Sequence, residues 1–148
     1  MPGVADACAR LKASGFLLVV VTNQPDVGRG TLERATVEAI HARMRRALPL
    51  DLVKACYHAG EKYGQPCSCR KPKPGMLLEA ARTLGIDLAN SYMVGDRWRD
   101  VDCGQRAGCH TVFIDWNYDE SLQRAPDFRA DSLWEATQLI IRTQNPAV

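Results

Sequence analysis

The sequence predicts an α/β fold in which helices cover a parallel sheet. Three observations carry that expectation. Segments of helical period alternate with short apolar runs. One run, FLLVVV at 16–21, is unbroken, as a strand covered on both faces requires. The residues suited to chemistry recur where an apolar run ends, in the loop beyond it.

The elements follow in order. Val4, Ala7, Cys8 and Leu11 share one face of a helix over 3–14, and Gly15 stands where a C-terminal glycine cap belongs. A buried strand is expected over 16–22. Residues 23–30 form a polar loop with Pro25, Gly28 and Gly30. Thr31 is expected to cap a helix that runs to about Leu48 and stops at Pro49. A second strand spans 52–57. Residues 58–74 lack periodicity and are rich in turn formers, so they read as a loop. A helix over 75–84 ends at Gly85, and a short strand over 91–94 runs into Gly95-Asp96. A helix over 100–107 ends at Gly108, and a strand follows over 110–114. Ser132 and Glu135 have capping-box spacing and start a last helix, to about Arg142, packed through Leu133, Trp134 and Ile140.

The 148 residues suit one domain, 1–148. Apolar residues at 46% and charged residues at 24% exclude disordered, collagen-like and coiled-coil classes. No apolar run approaches the ~18 residues of a membrane span. Nineteen Lys and Arg oppose 17 Asp and Glu, a balance that argues against nucleic acid. Arg43, Arg45 and Arg46 read as a solvated helix face. No signal peptide is read at the N-terminus, so a cytoplasmic location is expected and the six cysteines favour metal binding over disulfides. Cys8, Cys103 and Cys109 read as small core residues.

Four constellations carry chemistry. Cys56 and His58, followed by Cys67 and Cys69, supply three thiolates and an imidazole. That set makes a closed tetrahedral shell for Zn²⁺, with no position left for water, so the site is structural. Zinc would order a loop, about 56–69, that has little apolar content of its own. Thr22 and Asn23 end an apolar strand, where a hydroxyl and an amide can donate to phosphate oxygens. Arg70 and Lys71 precede a helix start, where cations suit an anion site, and Pro72 and Pro74 stiffen their loop. Asp96 ends another apolar strand, and Asp100 lies four residues on. Both are hard oxygen ligands suited to one Mg²⁺ shell. Asp102 reads as a surface residue. Cations and Mg²⁺ facing one point suit phosphoryl transfer, which depends on charge stabilisation and positioning.

The order of these motifs resembles the haloacid dehalogenase (HAD) superfamily of phosphatases. It is similar in particular to the zinc-loop subgroup that acts on D-glycero-D-manno-heptose 1,7-bisphosphate or on histidinol phosphate. The matching stretches are VVVTNQ at 19–24, CYH at 56–58, CSCRKPKPGM at 67–76 and SYMVGD at 91–96. The resemblance implies a Rossmann-like three-layer sandwich with a minimal cap and a zinc loop. It implies a Mg²⁺-dependent phosphatase for a small phosphorylated metabolite, heptose bisphosphate before histidinol phosphate, in a monomer. Thr22 and Asn23 would hold the transferring phosphoryl group, and Lys71 would neutralise it. Arg70 would contact substrate phosphate. Asp96 would bind Mg²⁺ with support from Asp100, and Arg97 stands where the family often has lysine.

The sequence departs from the family at its start. Family members open with a strand that ends in Asp-x-Asp, whose first aspartate is the nucleophile and second the general acid and base. Here Met1-Pro2-Gly3-Val4 matches the segment after that motif, and no Asp-x-Asp precedes Thr22. The expectation is a sheet without its central strand, a chain of little activity by itself, and a reading frame that starts further upstream or a truncated gene. The alternative of another class is a non-catalytic, zinc-stabilised module that binds phosphate or a partner.

Overall fold

The computed structural model describes residues 3–144. Six helices and five strands run in the order α1 (Val4–Ala13), β1 (Val19–Asn23), α2 (Pro25–Gly28), α3 (Arg34–Ala47), β2 (Leu52–Cys56), α4 (Gly75–Leu84), β3 (Tyr92–Gly95), α5 (Trp98–Ala107), β4 (His110–Ile114), β5 (Phe128–Ala130) and α6 (Leu133–Gln144). Short 3₁₀ turns lie at Glu61–Tyr63 and Leu88–Asn90. Every strand pair is parallel.

Three layers follow from how side chains alternate along a strand. On one face Leu11 of α1 and Ala136 and Ile140 of α6 form a core with Val112 and Ala130, joined by Tyr92, Val94 and Phe128. On the other face a Cβ on Gly104 of α5 would stand 2.6 Å from Met93 and 2.8 Å from Thr111. Met93 and Thr111 are register partners, and each is one residue from the set facing α1 and α6. α4 packs beside α5 and covers β1 and β2.

The expected parallel sheet is divided. β1 pairs only with β2, while β3, β4 and β5 form a separate sheet. A cavity of about 800 Å³ lies between the two and is lined by Val19, Val20 and Val21 of β1 and by Tyr92, Met93, Val94 and Gly95 of β3. For this reason β1, expected to be covered throughout, is only half-buried at all five positions.

Other differences have local causes. Thr31 does not cap α3; its hydroxyl donates to the Asp26 carbonyl at 3.2 Å, and α3 begins after Glu33. The loop at 23–30 contains the helical turn α2, started by Pro25 at its first position. β5 escaped the sequence pattern because its three residues are ordered by the edge of β4. Trp134 does not pack α6; it is 42% exposed, with Arg10 6.0 Å from its ring centroid. Asp102 is not on the surface but 2% exposed on α5. Its Oδ2 lies 3.5 Å from Arg106 and 4.0 Å from Arg124, and its Oδ1 has no partner. A polar residue on a helix's buried face is invisible to hydrophobic periodicity. Cys8, Cys103 and Cys109 are buried, as expected.

The start of β1 is pinned by Asp51. Its carboxylate accepts the Leu18 N–H at 2.6 Å and the Lys12 ammonium at 2.9 Å. The Leu18 N–H first, and then Lys12, hold its carboxyl below the usual carboxylate range. A lowered folded pKa contributes stability above the unfolded value, near 3.9, which is lost as pH falls through the folded value. The urea midpoint should therefore fall through this acid range, and Asp51→Asn should flatten that limb. Separately, Met76 anchors α4 at 2% exposure. Met76→Ala should cost about 2–5 kcal/mol in urea unfolding.

Candidate active site and metal centre

β2 ends in Cys56 and delivers the chain into the loop that holds the other three thiol and imidazole groups. Cys56, His58, Cys67 and Cys69 offer ligand atoms all within 4.8 Å of one another. Cys56 Sγ lies 3.7 Å from Cys67 Sγ and 3.1 Å from Cys69 Sγ. His58 Nδ1 lies 3.5 Å from Cys56 Sγ and 3.4 Å from Cys69 Sγ. Zinc bonds of about 2.0–2.3 Å in a tetrahedron separate ligand atoms by about 3.3–3.8 Å, so all but the shortest of these spacings match that shell. The donor set also fits, since soft thiolates and imidazole select such a metal. Burial pushes the Cys69 thiol up to about 12 and raises Cys56, while hydrogen bonds from the Arg70 backbone and neighbouring thiols outweigh burial and lower Cys67.

The loop docks onto its surroundings through two glycines. A Cβ on Gly28 would stand 2.4 Å from both Ala59 N and Tyr57 O, and one on Gly75 would stand 2.3 Å from Ser68 O. Gln65 adds a strut: its Oε1 accepts from Ala59 N and its Nε2 donates to Gly28 O, each at 2.8 Å. Lys73 pairs with Glu61 at 2.6 Å and donates to Cys67 O at 3.0 Å. No sequence motif marked Gln65 or Glu61; their roles come from where the loop folds.

Immediately after the loop, Lys71 reaches the C-terminal ends of both sheets. Its ammonium donates to Val21 O of β1 at 2.9 Å and to Asp100 Oδ1 at 2.7 Å. Asn23 grips the Lys71 backbone: its Nδ2 donates to Lys71 O at 3.1 Å and its Oδ1 accepts from Lys71 N at 3.0 Å. The amide expected to hold phosphate therefore serves first to position the cation. Thr22 Oγ1 accepts from Gln24 Nε2 at 3.1 Å, which leaves its own hydroxyl hydrogen to donate. Arg70 donates to His58 O at 3.2 Å and keeps further guanidinium hydrogens free.

Asp100 is 6% exposed and uses both oxygens, one on Lys71 and one on the Arg97 N–H at 3.1 Å. Gly95 is required here because a Cβ would stand 2.3 Å from the Asp100 Cβ. Asp96 lines the same cavity as Lys71 and Asp100. Among the described residues the Asp96 carboxylate takes no hydrogen-bond donor and no cation, so it is the free hard-oxygen group of the edge. Arg97 is 49% exposed at its side chain, lies 3.6 Å from Glu120 and stacks 4.0 Å from the Tyr118 ring centroid. Glu120 and Tyr118 were not found in the sequence, since their loop has no periodic signal.

The structure pairs Lys71 with Asp100, and Asp96 lines the same cavity, while Thr22 and Asn23 stand at the end of β1. The zinc-type cluster stands beside these groups rather than among them. Elemental analysis of gently purified protein should find one zinc per chain. Cys67→Ser or strong chelation should remove it and increase protease cleavage within 56–74.

Comparison with known proteins bears on the fold and the family. A family model described as HAD-hydrolase-like matches residues 68–136. The D-glycero-beta-D-manno-heptose-1,7-bisphosphate 7-phosphatase of Escherichia coli K12 is 39% identical over 157 aligned positions, covering 98% of this chain and 82% of that protein. The crystal structure of D,D-heptose 1,7-bisphosphate phosphatase from B. bronchiseptica, complexed with magnesium and phosphate, superposes with a TM-score of 0.83 at 32% identity, covering 97% of this chain and 84% of that one. The corresponding enzyme from Burkholderia thailandensis gives a TM-score of 0.65 at 26% identity, covering 95% of this chain and 85% of that one. The HAD-like fold and the extent of this likeness agree: the chain belongs to the D-glycero-beta-D-manno-heptose-1,7-bisphosphate 7-phosphatase family of HAD-like phosphatases.

Proposed function

We propose that this protein serves the Mg²⁺-dependent hydrolysis of a phosphate monoester, with D-glycero-beta-D-manno-heptose 1,7-bisphosphate as substrate. The observation that supports this reading most directly is the contact of Lys71 with Val21 of β1 and with Asp100, in a cavity that Asp96 also lines. The names of its relatives supply the substrate.

In this reading Lys71 and the Thr22 hydroxyl bind the phosphoryl oxygens, and Asn23 holds Lys71 in register. Arg70 and Arg97 take the second phosphate, for which a fork of N–H donors is suited. Asp96 holds Mg²⁺, and Asp100 steadies that end through Lys71 and the Arg97 N–H. The metal, when bound, supplies positive charge against the phosphate oxygens. The zinc cluster fixes the loop that carries Arg70 and Lys71 and shapes one wall of the pocket. The attacking aspartate that the family resemblance implies has no counterpart before Thr22.

Calorimetric titration tests the binding half. With Mg²⁺ present, inorganic phosphate should bind, and Lys71→Ala should weaken it about tenfold or more, in keeping with a lost charge-assisted hydrogen bond. Asp96→Asn should remove the Mg²⁺ dependence. Phosphate binding indifferent to both changes would sink the reading. Turnover tests the other half: the 148-residue chain should be nearly inactive. A version extended upstream by an Asp-x-Asp strand should hydrolyse the heptose bisphosphate many powers of ten faster. Preference for histidinol phosphate in that version would overturn the substrate assignment.

A further inference from the structure

The loop between β4 and β5, residues 115–127, is fastened at both ends. At its start the Asp115 N–H donates to Ala130 O at 2.9 Å. At its finish Gln105 Nε2 donates to Ala125 O at 2.7 Å. There, too, Asp127 Oδ2 accepts the Thr111 N–H at 2.7 Å and the Thr111 hydroxyl at 2.8 Å. The tip between these anchors, 118–123, has one hydrogen bond among the described residues, and it is internal: Glu120 N–H to Tyr118 O at 2.8 Å. Its polar ties to the rest of the chain all run to two arginines. Glu120 Oε2 lies 3.6 Å from Arg97 and Oε1 3.6 Å from Arg99, and the Tyr118 ring centroid lies 4.0 Å from the Arg97 guanidinium.

This carboxylate satisfies the two arginines poorly. A charge-assisted N–H···O bond is about 2.7–2.9 Å long, so each contact is an ion pair without a hydrogen bond. Both guanidinium groups remain half-exposed. Their planes are nonetheless set, Arg97 against Tyr118 and Arg99 against Trp98, whose ring centroid is 4.6 Å away. Stacking occupies the flat faces and leaves the N–H edges for an anion. Arg97 also directly follows Asp96, and its backbone N–H donates to Asp100. A phosphate carries more charge than a carboxylate and more acceptor oxygens. Being untethered, it can meet both forks at hydrogen-bond distance, which the loop-borne carboxylate does not.

We infer that Glu120 is a specificity-determining latch: its carboxylate holds, on Arg97 and Arg99, the place of a ligand's second phosphate, and a ligand with two phosphates displaces it and releases the tip 118–123. The inference rests on the reading that Lys71 and Asp96 serve the first phosphate. A ligand with one phosphate, met at Lys71, leaves the latch shut. One that spans both places gains the two arginines and gives up only the loose Glu120 pairs. Glu120 thus touches no reacting atom and acts through the arginines it occupies.

Two readouts test it. In the first, the 148-residue chain with Mg²⁺ is titrated with inorganic phosphate and with the heptose bisphosphate. Glu120→Gln should tighten the bisphosphate about threefold or more, as expected when exposed ion pairs no longer compete, and leave inorganic phosphate unchanged. In an Arg99→Gln background the same exchange should gain less, because the two groups are coupled. In the second, chymotrypsin should cut within 118–123 slowly in the parent and faster in Glu120→Gln. Adding the bisphosphate to the parent should also speed that cut. Equal bisphosphate affinity in the parent and Glu120→Gln would overturn the inference. So would protection of the tip by the bisphosphate, which would make the loop a lid that closes on its ligand. Equal cleavage of the ligand-free parent and Glu120→Gln would also overturn it, and that comparison involves no phosphate. Failure of the phosphate reading shows elsewhere, as inorganic phosphate binding indifferent to Lys71→Ala.

Discussion

The arrangement depends on one buried cation. Lys71 ties together two sheets that share no strand ladder: it bonds the backbone of β1 and the side chain of Asp100 beside β3. Its side chain is 13% exposed and that of Asp100 8%, so neither charge is well solvated. A buried pair is tolerated when its remaining hydrogen-bonding capacity is also met. Here the Val21 carbonyl, the Arg97 N–H and the clamp of Asn23 on the Lys71 backbone meet much of it. Removing either charge leaves the other buried without its partner, a larger loss than the pair's net contribution.

The loop of Cys56, His58, Cys67 and Cys69 explains how Lys71 comes to be there. The segment between β2 and α4 has few apolar side chains, so a hydrophobic core cannot hold it. Four ligand groups gather it at Cys56, and the close approaches at Gly28 and Gly75 set it against the turn after β1 and the start of α4. Arg70 and Lys71 then leave the loop at a defined height above the strand ends. The cluster thus acts at a distance on the strand ends, by fixing where the chain emerges. Glu120, with Tyr118, holds Arg97 and Arg99 on the far side of the same edge.

The divided sheet accounts for the half-buried state of β1. Val19, Val20 and Val21 are a sequence written for enclosure, and the apolar residues of α1, α4 and α6 around the cavity are written for the same purpose. The cavity between the sheets therefore reaches the strand ends: Lys71, Asp96 and Asp100 are among its lining residues.

Much of this was legible in the chain. Helix α4 and strand β4 follow from periodicity and from the glycines that end neighbouring helices. The gathering of Cys56, His58, Cys67 and Cys69 is legible because metal chemistry restricts residue type and spacing, and the placement of Thr22, Lys71 and Asp96 because each follows an apolar run or precedes a helix. Other roles depend on tertiary contacts. That Asn23 clamps Lys71, that Asp102 is buried, that Gly95 makes room for Asp100, and that β5 is a strand all depend on groups 5 to 48 positions away in sequence. A local pattern records the preference of a residue for water or for a turn. Which distant group then satisfies its hydrogen bonds or fills its space is settled only when the layers pack.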